Sequence, residues 1–175
     1  MRRLLLVAAL TLVALAALYQ LGLRGTEASG DLVSSQPVAT IGSGEDAVGV
    51  AADGSLLRWL PLPADALLPA LPPSTAPGKE RLVGTLLEQV RVLAAAPPAL
   101  RPYLAGSYYG ESGVDVELRS GIELRFGDAS RAEKKWRAAA AVLADPSVSA
   151  LDYVDLHAPS HPAIYGSGHT LPPLP

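Results

Sequence analysis

Residues 114–126 read "VDVELRSGIELRF", and the spacing of their apolar side chains decides the fold. Val114, Val116 and Leu118 alternate with Asp115, Glu117 and Arg119, and Ile122, Leu124 and Phe126 alternate with Glu123 and Arg125. Alternation with period two marks strands buried on one face, so two such strands flank a tight loop. Loop length sets the register. A two-residue loop at Ser120-Gly121 opposes Arg119 to Ile122 and sets polar against apolar along the pair. A three-residue loop, Arg119-Ser120-Gly121, opposes Leu118 to Ile122, Val116 to Leu124 and Val114 to Phe126, with Gly121 at a left-handed bulge position. The second register is predicted. It also pairs Asp115 with Arg125, sets Glu117 against Glu123, and leaves Asp115, Glu117 and Glu123 on a solvated face.

C-terminal to this hairpin the periodicity turns helical. Asp128 is the predicted N-cap of a helix over 129–144. Ala132, Trp136, Ala139, Ala140 and Leu143 form its buried stripe, with Arg131, Lys134, Lys135 and Arg137 on the wet face. Asp145-Pro146 stops it. "LDYVDLHAPSHP", residues 151–162, then predicts a strand over 151–157. Val154 and Leu156 face the helices, and Leu151, Tyr153, Asp155 and His157 face the other way. Pro159, Pro162 and the tail "GSGHTLPPLP" (166–175) predict a short edge strand followed by a frayed end. Such an edge is either blunted or used to bind a partner by strand addition.

N-terminal to the hairpin lies a predicted strand over 103–109. A helix is predicted over 80–95, with Leu82, Leu86, Val90 and Leu93 on one stripe, Val83 and Leu87 widening it, and Pro97-Pro98 beyond its end. The proline-rich stretch 61–79 excludes a regular element and should run extended over the surface. "PVATIG" (37–42) and "AVGVAADGSLLRWL" (47–60) predict strands, with Asp53-Gly54 as a two-residue hairpin signal. The order of β-hairpin, α, three β, α, β specifies an α+β domain, a mainly antiparallel sheet with two helices on one face.

Ahead of this domain, residues 4–23 carry no charge and follow Arg2 and Arg3. About twenty apolar residues at ~1.5 Å rise cross a hydrocarbon core of ~30 Å. Residues 1–23 therefore read as a cytoplasmic stub and a transmembrane helix with the N-terminus in the cytoplasm. A cleaved signal peptide ending near Ala14-Leu15-Ala16 is the rival reading, and both export the rest. Residues 24–36 form a polar linker, 37–165 the exported domain and 166–175 a disordered tail.

Composition excludes several classes of function. The 175-residue chain has a net charge of −3 and thinly spread basic residues, which do not suit nucleic acid. It has no cysteine, so disulfides and thiolate metal sites are absent. His157 and His161 sit at i, i+4 with His169 beyond, but Pro159 and Pro162 forbid the helix that would converge the first pair on a metal. No G-x-S-x-G nucleophile elbow is present, and Gly166-Ser167-Gly168 lies in the tail. Asp152 and Asp155 point to opposite faces of one strand. The glycines of "GSGEDAVG" (42–49) lack the strand-to-helix setting of a phosphate cradle. Pro172 to Pro175 carry only a weak proline-reader signal. An exported hydrolase or metal enzyme built on the three histidines, and a general envelope-binding module, remain as rivals to a strand-addition scaffold.

"QPVATIGSGEDAVGVAADGSLLRW" (36–59), "GIELRFGDASRAEKKWRAAAAVLAD" (121–145) and "LDYVDLHAPSHPAI" (151–164) occur in an order that resembles the FtsQ/DivIB bacterial cell-division proteins over roughly residues 37–165. The resemblance implies a single-pass protein of the cytoplasmic membrane, located at the division septum, with no enzymatic activity and neither cofactor nor metal. It implies an extracytoplasmic β domain that binds FtsB, and FtsL through it, to help control septal peptidoglycan synthesis. Carried over by position, the partner contact falls on Leu151, Asp152, Tyr153, Val154, Asp155 and Leu156, with Tyr153 as aromatic anchor, and on Ala163, Ile164 and Tyr165. The family places a POTRA domain between membrane helix and β domain. Here only residues 24–36 occupy that place, so the functions of that module are not implied.

Overall fold

The computed structural model of the chain describes residues 36–63, 66–73 and 80–173. The expected transmembrane helix at 1–23, and the linker as far as Ser35, lie outside the described residues. Among the described residues no helix is long and apolar enough to cross a membrane.

The α+β arrangement is as predicted. Strands β1 (Pro37–Ile41), β2 (Val48–Ala51) and β3 (Leu56–Leu57) form one antiparallel meander. Strands β4 (Leu104–Gly110), β5 (Gly113–Leu118), β6 (Glu123–Gly127), β7 (Ala150–Asp155) and β8 (Ala163–Thr170) form a second sheet in that order. Every pairing in the second sheet is antiparallel except β6 with β7. Helix α1 (Gly84–Ala94) leads into the second sheet, and α2 (Ala132–Leu143) makes the crossover between its two parallel strands, as parallel neighbours require.

The proline-rich stretch does more than run over the surface. Ala70 bridges in parallel to Thr40 of β1 and to Gly106 of β4. The Pro69 carbonyl accepts from the Thr40 N–H at 2.9 Å and the Leu71 N–H donates to the Thr40 carbonyl at 2.8 Å. On the other side the Ala70 N–H donates to Ala105 at 2.9 Å, and the Ser107 N–H donates to Ala70 at 3.0 Å. Three residues thus join two sheets into one. A Cβ at Gly106 would stand 2.8 Å from the Ala70 carbonyl oxygen, so only glycine permits this approach.

The central hairpin takes the three-residue loop. The Gly121 N–H donates to Leu118, the Leu118 N–H donates to Ile122, and Gly121 adopts φ +91°. Val116 faces Leu124, Asp115 faces Arg125 and Glu117 faces Glu123. One predicted pair is corrected. A bulge between Val114 and Asp115 slips the register, and Val114 faces Gly127 rather than Phe126, although Val114 and Phe126 both stay buried.

The helices begin later than their periodicity predicts. Glu80 to Leu82 are extended against the β2–β3 turn, where the Leu56 N–H donates to Glu80 and the Leu82 N–H to Gly54, both at 2.8 Å. That pairing competes with helix, and Val83 is left exposed. Asp128 does not cap α2: its carboxylate closes a local turn onto the Ser130 N–H and hydroxyl, and Arg131 occupies the N-cap position in left-handed backbone, φ +54°.

Lys135, placed on the wet face by its sequence, is buried. Its ammonium donates to the carbonyls of Phe126 at 2.8 Å and Asp128 at 2.9 Å and to the Asp128 carboxylate at 2.7 Å. All three donors are satisfied, which is the condition for burying a charge. Trp136 packs on Phe126 with ring centroids 4.8 Å apart, and its indole N–H donates to Val92 at 2.7 Å. Val92 lies in the last turn of α1, where helix carbonyls lack internal partners, so one residue locks both helices to the sheet. The core is a single cluster running from Ala39 and Val50 through α1, β5 and β6 to Leu151, Val154 and Leu156.

Ala70→Pro removes the N–H that bonds Ala105, and the expected loss is about 2 kcal/mol by denaturant unfolding, whereas Ala70→Ser stays near wild type. Wild-type stability for the proline variant would refute the stitching role. Lys135→Met keeps the bulk and strands two carbonyls, at an expected cost of about 1–3 kcal/mol. Lys135, and after it the Ser130 hydroxyl, lowers the Asp128 carboxyl from 3.8 to about 2. That stability is present above pH 3.8 and lost as pH falls toward 2; an acid-side unfolding curve for Lys135→Met should show it reduced to the part that Ser130 supplies.

Candidate functional site

The C-terminal rim differs from its sequence reading. The strand at 151–155 is not an edge. β7 is paired on one side to β6 (Glu123 with Tyr153, Leu124 with Val154, Arg125 with Asp155) and on the other to β8 (Tyr153 with Tyr165, Val154 with Ile164, Asp155 with Ala163). Its backbone has no ladder left to offer. Among the described residues the C-terminal rim of the sheet left without a partner strand is β8, all of whose residues are exposed.

The tail expected to be disordered from 166 is ordered to Pro173. Gly166 to Thr170 belong to β8, and the Tyr103 hydroxyl donates to the Pro173 carbonyl. Pro162 and the glycines hid this strand. Its legible signal is Ala163-Ile164-Tyr165, taken with the need of the following glycines for a partner. That partner is Asp152. A register irregularity between Leu151 and Tyr153 pushes Asp152 out of the ladder, and its carboxylate accepts the Gly168 N–H at 2.8 Å. The carboxylate fills the space that side chains at 166 and 168 would need, and Gly166 adopts φ +82°.

The same irregularity corrects the facing of β7. Leu151 turns into the core beside Val154 and Leu156, and Tyr153, Asp155 and, just past the strand, His157 remain on the open face. The expected contact residues therefore divide. Leu151, Val154 and Leu156 are core; Asp152 holds β8; Ala163, Ile164 and Tyr165 lie on the free rim. Tyr165 is 64% exposed and Ile164 48%. Tyr153 stacks beneath Tyr165 with centroids 5.2 Å apart, and the Arg125 guanidinium lies 3.7 Å from the Tyr153 ring centre. Arg125 pairs with Glu123, which also accepts the Tyr108 hydroxyl. A polar and aromatic chain thus crosses the face opposite the helices and ends at the rim.

Asp115 lies at the centre of that face and is buried, not solvated as its alternation predicts. Its neighbours on the open face bury it: Tyr108 and Arg125 sit opposite it in the flanking strands, and Oδ1 has no hydrogen-bond partner. Burial, then the charge of Glu123, raises its carboxyl to about 6, while Arg125 and His157 pull it back down. Tyr108 is raised by burial and by the bond to Glu123. Burial opposes ionisation of Glu123, but the hydrogen bonds from Tyr108 and Arg125 outweigh it and lower its carboxyl.

The structure does not assemble an active centre from the other candidates. His157 follows β7 and bonds Asp155, Nδ1 to Oδ1, at 2.7 Å. His161 bonds Ser160, and His169 lies opposite Leu151 against Gly121. Leu151 and His157 are separated by about 20 Å of strand, so the histidines do not converge. Asp152 and Asp155 are each bound to different partners. The segment at 42–49 follows β1 after all, but opens only a single 3-10 turn, Gly44–Asp46, before β2.

Residues 39–157 match the sequence profile described as cell division protein FtsQ/DivIB, C-terminal. No curated protein sequence matches the chain.

Asp115 gives a signed pH dependence. Its folded pKa of about 6 exceeds the ordinary 3.8, so its favourable contribution is complete below 3.8 and lost as pH rises through 6. Asp115→Asn should therefore raise the melting temperature above pH 6 and leave it unchanged below pH 3.8. A difference independent of pH would show that the carboxyl is not the cause.

Proposed function

This chain belongs to the FtsQ/DivIB family of cell-division proteins, and we propose that it acts there as a non-enzymatic, single-pass membrane scaffold. Its β domain takes a strand from an FtsB-type partner, with an FtsL-type partner joined through it. The assembly helps regulate septal peptidoglycan synthesis at the division site. The apolar segment 4–23 tethers the domain to the outer face of the cytoplasmic membrane.

One observation supports this reading above the others: among the described residues the rim strand β8 has an unpaired ladder, and Ile164 and Tyr165 on it are exposed. An added strand gains main-chain hydrogen bonds along such an edge, and alternate side chains give specificity. Tyr165, held by its stack on Tyr153, is a rigid aromatic of the kind that anchors interfaces. Relative to the sequence reading the docking ladder moves outward by one strand. Tyr153 and Asp152 become its support, and Leu151, Val154, Asp155 and Leu156 the floor on which that support rests.

Successive residues of a strand present their N–H groups to opposite sides, so proline at Ile164 and proline at Tyr165 divide the two ladders. One variant should lose β7 pairing and stability. The other should keep its melting temperature and lose capture of the FtsB homologue. Tyr165→Ala should weaken capture by about tenfold or more. Wild-type capture by every variant that keeps its fold would eliminate strand addition at β8.

A further inference from the structure

A second surface lies on the helix side of the domain. Lys134, Arg137 and Ala138 of α2, with Arg131 at its N-cap, line one wall of a cavity of about 430 Å³, and Pro159 and Ser160 of the β7–β8 loop line the other. The three cations recur every third residue, Lys134 and Arg137 about one turn apart on the helix and Arg131 at the cap before them. Among the described residues no carboxylate lines the cavity. The ion pairs among the described residues engage Arg81, Arg125, Lys135 and His157, and none of these three. Like charges about one turn apart, as Lys134 and Arg137 are, repel each other on a helix. Here they are kept on a chain whose net charge is −3.

We propose that this groove binds an acidic polypeptide segment of a partner protein. Charge complementarity selects an anion. The remaining lining selects a peptide over a bare polyanion: Ala138 on one wall and Pro159 on the other add apolar surface suited to the stem of a glutamate. The groove is formed by α2 and the loop before β8, so it is separate from the β8 ladder. A variant that abolishes one interaction should leave the other intact.

The test is fluorescence anisotropy of a labelled hexaglutamate peptide with the full chain in detergent, at low and at moderate salt. Lys134→Glu combined with Arg137→Glu should weaken binding at least about tenfold, and added salt should weaken wild-type binding. Arg91→Glu, an exposed basic residue on α1, should change nothing, and circular dichroism should confirm that every variant is folded. Absence of peptide binding, or equal loss in Arg91→Glu, overturns the proposal. So does binding of inorganic polyphosphate or anionic vesicles without binding of the peptide, which would give the groove to phosphate.

Discussion

Four backbone hydrogen bonds around Pro69, Ala70 and Leu71 are the constraint on which the domain depends. Without them a three-stranded meander and a five-stranded sheet would share only side-chain packing. With them one sheet runs from β3 to β8, and α1 can rest on both parts, its contacts reaching β1 as well as β4 and β5. The segment serves both neighbours because successive residues of an extended chain point their amide groups to opposite sides: the N–H and carbonyl of Ala70 face β4, and the Pro69 carbonyl and Leu71 N–H face Thr40. Proline at 69 suits this place, since its own nitrogen has no hydrogen to leave unpaired.

Buried polar groups are distributed unevenly between the two faces. On the helix side Lys135, Trp136 and Gln89 are all hydrogen-bonded, and each ties one element to another. On the open side Asp115 is left with an unpaired oxygen inside a cluster of Tyr108, Glu123, Arg125, Asp155 and His157. The helix side is a finished interior. The open side keeps a charge that its surroundings disfavour, at the middle of the face that leads to the rim.

Much of this is legible in the sequence where one physical rule dominates. The register of the central hairpin follows from the pleat, because a one-residue slip would expose every apolar residue of one strand. The rule fails at Val114, where a bulge sets it opposite Gly127 and Gly113, lacking a Cβ, lets the Gly127 backbone come close. Leu151 shows the same limit: alternation cannot see the displacement of Asp152 that returns Leu151 to the core. Lys135 is misread because periodicity ranks residue types and not the carbonyls awaiting them. Asp115 is misread because its cover comes from other strands. The largest omission is β8, whose glycines and flanking proline look like disorder. Their reason is the Asp152 carboxylate, which no local pattern in 163–170 contains. Partner addition at the C-terminal rim is therefore readable in outline, and the strand that offers the rim is not.

β8 also has an unusual energetic character. Every one of its residues is exposed, so it contributes almost nothing to the apolar interior and is retained by its ladder, the Asp152 carboxylate and the clamp from Tyr103 to Pro173. Segments with few buried contacts open locally at a small fraction of the global unfolding free energy. Deuterium should enter the amides of 163–170 long before it reaches β5 or β6. The molecule thus combines a stiff floor with a border that breathes, able to rearrange to meet an incoming chain without disturbing the helices beneath.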